Sequence, residues 1–135
     1  MGYTHYLNEQ INISDWDWKI LKQYTRSLFM SSLETDTPLG NVSGDEYSFP
    51  VIDDTYIGFN GIGDAGYETA GINKSPMEDT LMFCKTANKD YDKYVVAFYH
   101  IIHTLNFAVF TSDGEPDELA EGIALGNSIM GVDNK

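Results

Sequence analysis

Three histidines, one cysteine and eight basic residues are the chemically versatile side chains of this 135-residue chain. Their densest grouping is Phe83-Cys84-Lys85-Thr86-Ala87-Asn88-Lys89-Asp90-Tyr91-Asp92-Lys93, where Lys85, Lys89 and Lys93 fall within nine positions. An apolar strand gives way to a helix here. Such a junction exposes backbone N–H groups and the positive end of the helix dipole, which suits an anionic ligand. Against a formal charge of −13, the cluster is a local relief of negative potential. A blander reading pairs Lys89 and Lys93 with Asp90 and Asp92 on a solvated face. Lys85 leans toward function because it directly follows the strand.

Other groupings carry weaker chemistry. Gly61-Ile62-Gly63-Asp64-Ala65-Gly66 fits the G-x-G-x-x-G string after a strand. The dinucleotide fingerprint also needs a helix to open there, and Tyr67-Glu68-Thr69-Ala70-Gly71 followed by Pro76 gives none. A glycine-rich hairpin is the preferred reading. His100 and His103 share a helix face at metal-ligand spacing, but further ligands would have to come from His5, Cys84 or a carboxylate. Core-edge histidines are the simpler reading, and no metal or cofactor is expected. Cys84 lies in an apolar strand, where a thiol is usually inert, so no catalytic nucleophile is assigned to it.

The elements that must position these residues follow from periodicity and capping. Tyr3-Thr4-His5-Tyr6-Leu7 is a short run of strand formers. Ser14 is a good N-cap, Asp15 and Asp17 favour the first turn, and Ile13 with Trp18 fits a hydrophobic staple. Ile20, Leu21, Tyr24 and Leu28 mark one apolar face, predicting a helix over 14–34 that Pro38 and Gly40 close. Residues 46–52 and 55–60 read as strands around an Asp53-Asp54 turn. Thr80-Leu81-Met82-Phe83-Cys84, apolar on both faces, reads as a strand inside the sheet. From an Asp90 cap, Tyr91, Tyr94, Val95, Phe98, Ile101, Ile102 and Leu105 keep helical period. Val109-Phe110-Thr111 is a further strand closed by Ser112-Asp113-Gly114. Pro116, with Asp117 and Glu118 behind it, opens a third helix that Gly122 and Gly126 weaken. The order predicts one α+β domain over 1–135, with about three helices on a mostly antiparallel sheet.

Composition excludes several classes. Eight basic against 21 acidic residues is wrong for a protein that tracks nucleic-acid phosphates, so no direct nucleic-acid binding is expected. A single cysteine excludes a disulfide scaffold, and 42 % hydrophobic residues exclude an acidic disordered tail. No export signal or membrane span is expected, and a reduced, cytoplasmic compartment is the default. Glu115, Asp117, Glu118 and Glu121, with Asp45, Glu46, Asp53 and Asp54, form acidic patches that could imitate DNA phosphates against a basic partner protein. Plain solubility is the alternative. Trp16, Phe29 and Met30 exceed what one small core needs and leave a homo-oligomer open.

Met1-Gly2-Tyr3-Thr4-His5-Tyr6, Phe59-Asn60-Gly61, Phe83-Cys84-Lys85-Thr86-Ala87, Tyr91-Asp92 and Ser112-Asp113-Gly114, spread over residues 1–122, together resemble a family of small proteins. Its members occur in bacteriophages, prophages and some bacteria and carry no established activity. This chain has Leu7, Asn88, Asp90 and Leu119 where the family pattern has Trp, Arg, Pro and Trp. The resemblance implies a phage-type accessory protein acting in the host cytoplasm. Its motif residues His5, Tyr6, Asn60, Glu68, Lys85, Thr86, Tyr91, Asp92 and Asp113 are expected to converge on one pocket for a small nucleotide-like ligand. Lys85 and the helix start would take an anionic group. Asn60 and Asp113 would recognise amides or hydroxyls, and Tyr6 or Tyr91 would stack on a ring. Such a ligand includes a host defence signal that the protein would sequester without catalysis. The alternatives are an acidic inhibitor docked on a host protein, and an enzyme using His5 or Asp113 as acid or base.

Overall fold

The computed structural model describes residues 4–45, 48–76 and 82–132. They form three helices and seven strands in two antiparallel sheets, an α+β architecture. The first sheet has the order β6-β1-β7, from β1 (Thr4–Asn8), β6 (Met82–Lys85) and β7 (Val109–Ser112). The second is centred on β4 (Tyr56–Gly61), which pairs with β2 (Leu39–Gly40), β3 (Val51–Ile52) and β5 (Ala70–Asn73). Helices α1 (Asp15–Glu34), α2 (Asp92–Thr104) and α3 (Pro116–Met130) complete it. No helix among the described residues is long and apolar enough to cross a membrane.

Helix α2 is the centre of the core. Tyr94 to Tyr99 are buried without a break, as are Ile101 and Ile102, and a helix apolar all round must be enclosed. α1 and α3 both pack on it. Edge-to-face and tilted rings then cross the interior in one series. Phe29 of α1 meets Phe59 of β4 at 5.4 Å, and Phe59 meets Phe98 of α2 at 5.3 Å. Phe98 meets Tyr99 at 6.0 Å, Tyr99 meets Phe110 of β7 at 5.8 Å, and Phe110 meets His5 of β1 at 6.0 Å. Each such pair is worth about 0.5–1.5 kcal/mol beyond its buried area. The series couples the second sheet to the first through α2 and ends on a residue of the candidate site.

Local signals explain the helix ends. Ser14 Oγ accepts from the Asp17 N–H at 3.1 Å, and Ile13 and Trp18 are both buried. Glu115 and Glu118 form a reciprocal capping box at the start of α3. Gly122 and Gly126, which lower helix propensity, bring α3 close to α2. A Cβ on Gly122 would lie 2.6 Å from Val96 Cγ1 and 2.8 Å from the Lys93 carbonyl oxygen.

Several expectations are corrected. The strand expected over 46–52 is reduced to Val51–Ile52 within the described residues; Glu46 and Tyr47 lie outside them. Strand β6 is an edge strand, not an interior one. Its apolar Phe83 projects outward and is 52 % exposed, so alternation of burial is hidden by composition. Thr80, Leu81 and Met1 to Tyr3 lie outside the described residues. Helix α2 starts at Asp92 behind Tyr91 rather than from Asp90, because turns closed by Lys89 N–H to Thr86 and Asp92 N–H to Lys89 precede it. The glycine string 61–66 holds a short 3₁₀ turn, Gly63–Ala65, between the antiparallel β4 and β5, with no helix behind it.

Candidate ligand-binding site

The register of the first sheet assembles the site. Thr4 lies opposite Lys85, and His5 lies opposite both Cys84 and Ser112. The His5 ring is fully buried. Its Nε2 is 2.7 Å from Asp92 Oδ1 and its Nδ1 is 2.7 Å from Ser112 Oγ. The Thr86 hydroxyl donates to the same Asp92 oxygen. With two donors converging on the carboxylate, a neutral His5 carries its proton on Nε2 and accepts the Ser112 hydroxyl at Nδ1. Ser112 Oγ in turn accepts the Gly114 N–H at 3.0 Å. Four side chains from β1, β7, α2 and the turn before α2 are thereby locked together. His5 and Thr86 are wholly buried and Asp92 nearly so, which demands this mutual satisfaction.

Ser112–His5–Asp92 has the composition of a nucleophilic relay. The cavity beside this sheet, however, is lined by Thr4, Tyr67, Lys85 and Ala87 and not by Ser112. Ser112 Oγ also closes a local turn onto Gly114, and a Cβ at Gly114 would meet Leu119 at 3.2 Å. The relay acts as a strut under the site. Cys84 is fully buried, and desolvation pushes its thiol up to about 12, which leaves it inert at neutral pH.

Glu68 and Asn60 build the walls. The Glu68 N–H donates to the Lys85 carbonyl at 3.1 Å, and its carboxylate accepts the Lys85 N–H at 2.7 Å. This covers the otherwise open edge of β6. The Tyr91 hydroxyl donates to the Glu68 carbonyl at 2.6 Å, and desolvation raises the Tyr91 phenol above its ordinary range. Asn60 holds Tyr67 from both sides. Its Oδ1 accepts the Tyr67 N–H at 3.1 Å, and its Nδ2 donates to the Tyr67 carbonyl at 3.1 Å.

The resulting cavity is about 300 Å³. Lys85 is exposed, and among the described residues its ammonium forms no ion pair. Tyr67 is 58 % exposed and offers an aromatic surface. Thr4, the first residue of β1, adds a hydroxyl. Ala87 and Asn88 are consecutive non-glycine residues at φ 52° and 56°. Left-handed backbone in such residues costs of order 1 kcal/mol or more each and clusters at functional sites.

The expected site residues divide clearly. Lys85 lines the cavity; Glu68, Asn60, Thr86, Asp92, His5 and Tyr91 hold its frame. Tyr6 donates to Asp113 at 3.2 Å, and the Asp113 N–H donates to the Thr4 carbonyl at 3.0 Å, so this pair adjoins Thr4 but does not line the cavity. Four expected roles are corrected. Tyr91 is fully buried and has no face to stack on a ring. The amide of Asn60 is consumed by Tyr67 and Thr69. At the start of α2 the Asp92 N–H already donates to the Lys89 carbonyl and the Tyr94 N–H to the Tyr91 carbonyl, and the acidic Asp92 stands in the first turn, so it is no vacant anion seat. Lys93 pairs with Glu121 at 3.1 Å, away from the cavity lining. Tyr67 carries no signal of its own in the sequence beyond flanking Glu68, and Ser112 is legible there only as part of the Ser112-Asp113-Gly114 turn and motif, not as a partner of His5.

The remaining candidates have local explanations. His100 Nε2 contacts Asn127 Oδ1 at 2.7 Å, and His103 Nδ1 accepts the Phe110 N–H at 3.1 Å. Among the described residues no three His, Cys, Asp or Glu side chains could hold a metal ion. Of the acidic patches, Glu115 and Glu118 cap α3, Glu121 pairs with Lys93, Asp54 pairs with Lys22, and Asp53 accepts the Thr55 and Tyr56 N–H groups. Those N–H bonds hold the Asp53 carboxyl below its ordinary range. No protein family, no curated protein and no solved structure matches this chain.

Proposed function

We propose that the protein is a non-catalytic binder of a small nucleotide-like anion, seated in the cavity of Thr4, Tyr67, Lys85 and Ala87. The observation that carries this reading is the state of Lys85. In a chain of charge −13, its ammonium stands in a cavity without a carboxylate partner among the described residues. Its neighbour Glu68 is turned onto the Lys85 backbone instead. The Tyr67 ring supplies a stacking surface, and the Thr4 hydroxyl a hydrogen-bonding group. The strut beneath keeps these groups fixed, which lowers the entropy lost on binding. The family resemblance adds an accessory role in a phage-infected cell, in which the ligand would be a signalling nucleotide of host defence held out of circulation.

Native mass spectrometry of the protein as purified, followed by calorimetric titration with a panel of mono-, di- and cyclic nucleotides, tests the proposal. Binding of at least one nucleotide is expected, reduced about tenfold or more by Lys85→Gln through loss of one charge-assisted contact. Lys85 is exposed, so the variant should unfold at the same urea concentration as the parent. No binding across the panel, or binding indifferent to Lys85→Gln and Tyr67→Ala, refutes the assignment.

A further inference from the structure

A second cavity, about 510 Å³, opens along α1 and is independent of the Lys85 site. Lys19, Lys22 and Arg26 line it at spacings of three and four, which places them on one helix face. Lys74, just after β5, faces them from the other wall. Four of the protein's eight basic residues thus converge on one cleft, against two carboxylates, Asp15 and Asp54.

The pairing pattern points to an anion that replaces the acids. Lys74 contacts Asp15 at 2.6 Å and Lys22 contacts Asp54 at 3.1 Å. The lysine side chains are only 24 % and 18 % exposed, whereas the carboxylates are 98 % and 95 % exposed. Exposed pairs of this kind contribute little net stability, so the acids can swing into water when a better anion arrives. Lys19 and Arg26 form no ion pair among the described residues. The floor is rigid, because the buried Trp18 indole donates to the Asp53 carbonyl at 2.9 Å.

We infer that this cleft binds an oligophosphate group, a compact chain of adjacent anions. Three cations on successive turns of one helix match a linear polyanion better than a single phosphate, and Arg26 can engage phosphate oxygens in bidentate fashion. The group could be free or carried on a nucleoside, and the net charge disfavours a long nucleic-acid strand.

Calorimetry with inorganic tripolyphosphate, orthophosphate, adenosine triphosphate and a single-stranded oligonucleotide tests this. Tripolyphosphate is expected to bind well above orthophosphate and to weaken about tenfold in each of Lys19→Gln and Arg26→Gln. Both positions are exposed, so the fold should persist. Adenosine triphosphate equal to tripolyphosphate indicates a free oligophosphate site; tighter binding that is lost in Arg26→Gln but kept in Lys85→Gln indicates a nucleoside-borne one. Tripolyphosphate no tighter than orthophosphate, indifference to both substitutions, or an oligonucleotide that outbinds tripolyphosphate overturns the inference. Weakening by Lys85→Gln alone would support the other cavity and overturn this one.

Discussion

Replacing Asp92 with alanine measures what the buried polar strut contributes. The substitution removes the acceptor shared by His5 Nε2 and the Thr86 hydroxyl, both from fully buried residues. Each stranded buried donor costs about 1–3 kcal/mol, so a loss of about 2–6 kcal/mol is expected. That is a large share of the roughly 5–15 kcal/mol that a domain of this size has in total. Asp92→Asn keeps an oxygen at the Oδ1 position and loses only the charge assistance, about 1 kcal/mol per hydrogen bond. Thr86→Val removes one donor and strands nothing on His5, for a loss of about 1–2 kcal/mol. The double variant Asp92→Ala/Thr86→Val should lose less than the sum of the singles, because one stranded donor is gone. Urea unfolding at neutral pH, compared at constant m-value, reads all four. Asp92→Ala within about 0.5 kcal/mol of the parent, or Asp92→Asn as damaging as Asp92→Ala, would show that the carboxylate oxygen satisfies neither partner and refute the argument.

Two further outcomes follow from packing and burial. Gly122→Ala gains about 1 kcal/mol of helix propensity but drives a methyl into Val96 and the Lys93 carbonyl, so a net loss of about 1–2 kcal/mol is expected. At Gly126 the same methyl would meet Ala97 O and His100 Cδ2 at 3.1 Å, and the variant should unfold close to the parent; equal shifts at both positions would sink the close-approach account. Cys84, with its thiol raised to about 12, should resist alkylation in the native protein at pH 8, where about one thiol in 10⁴ is ionised, and react only when unfolded. Native labelling at the rate of an exposed thiol would contradict its burial.

What the sequence revealed was mostly local. Ser14, Pro116 and the run from Tyr94 to Ile102 carry their structural meaning within a few residues, and the three helices fall where period places them, with α2 starting at Asp92 and not from the cap expected at Asp90. Strand β6 was misplaced because Phe83 is apolar yet faces out, so its four residues do not display which side is buried. The site was legible as a set of residues and illegible as a set of roles. His5 reaches Asp92 across 87 positions and Ser112 across 107; the Ser112 contact depends on the register of β1 with β7 and the Asp92 contact on how α2 packs against β1, and no local pattern fixes either. The variety of polar types among these residues has a structural explanation for the most part. Most of them satisfy one another, and the residue left over is Lys85. The α1 cations show the same limit, since their helical spacing is readable but the opposing Lys74 comes from the fold alone.

The net charge and the two cationic cavities are compatible because they act over different distances. At physiological ionic strength, charges more than about 8 Å apart are largely screened. A ligand already inside a cavity therefore senses its lining far more than the protein's total of −13. A long polyanion differs, since whatever extends past the cavity meets the rest of a chain in which acidic residues outnumber basic ones, 21 to 8. On the proposed reading, this charge distribution would disfavour long nucleic-acid strands while leaving the cavities open to small phosphates. Selectivity of this kind needs cations held in concave sites and acids left on the exterior. Lys85 beside a carboxylate turned onto backbone, and Lys22 and Lys74 beneath rim carboxylates, both meet that requirement.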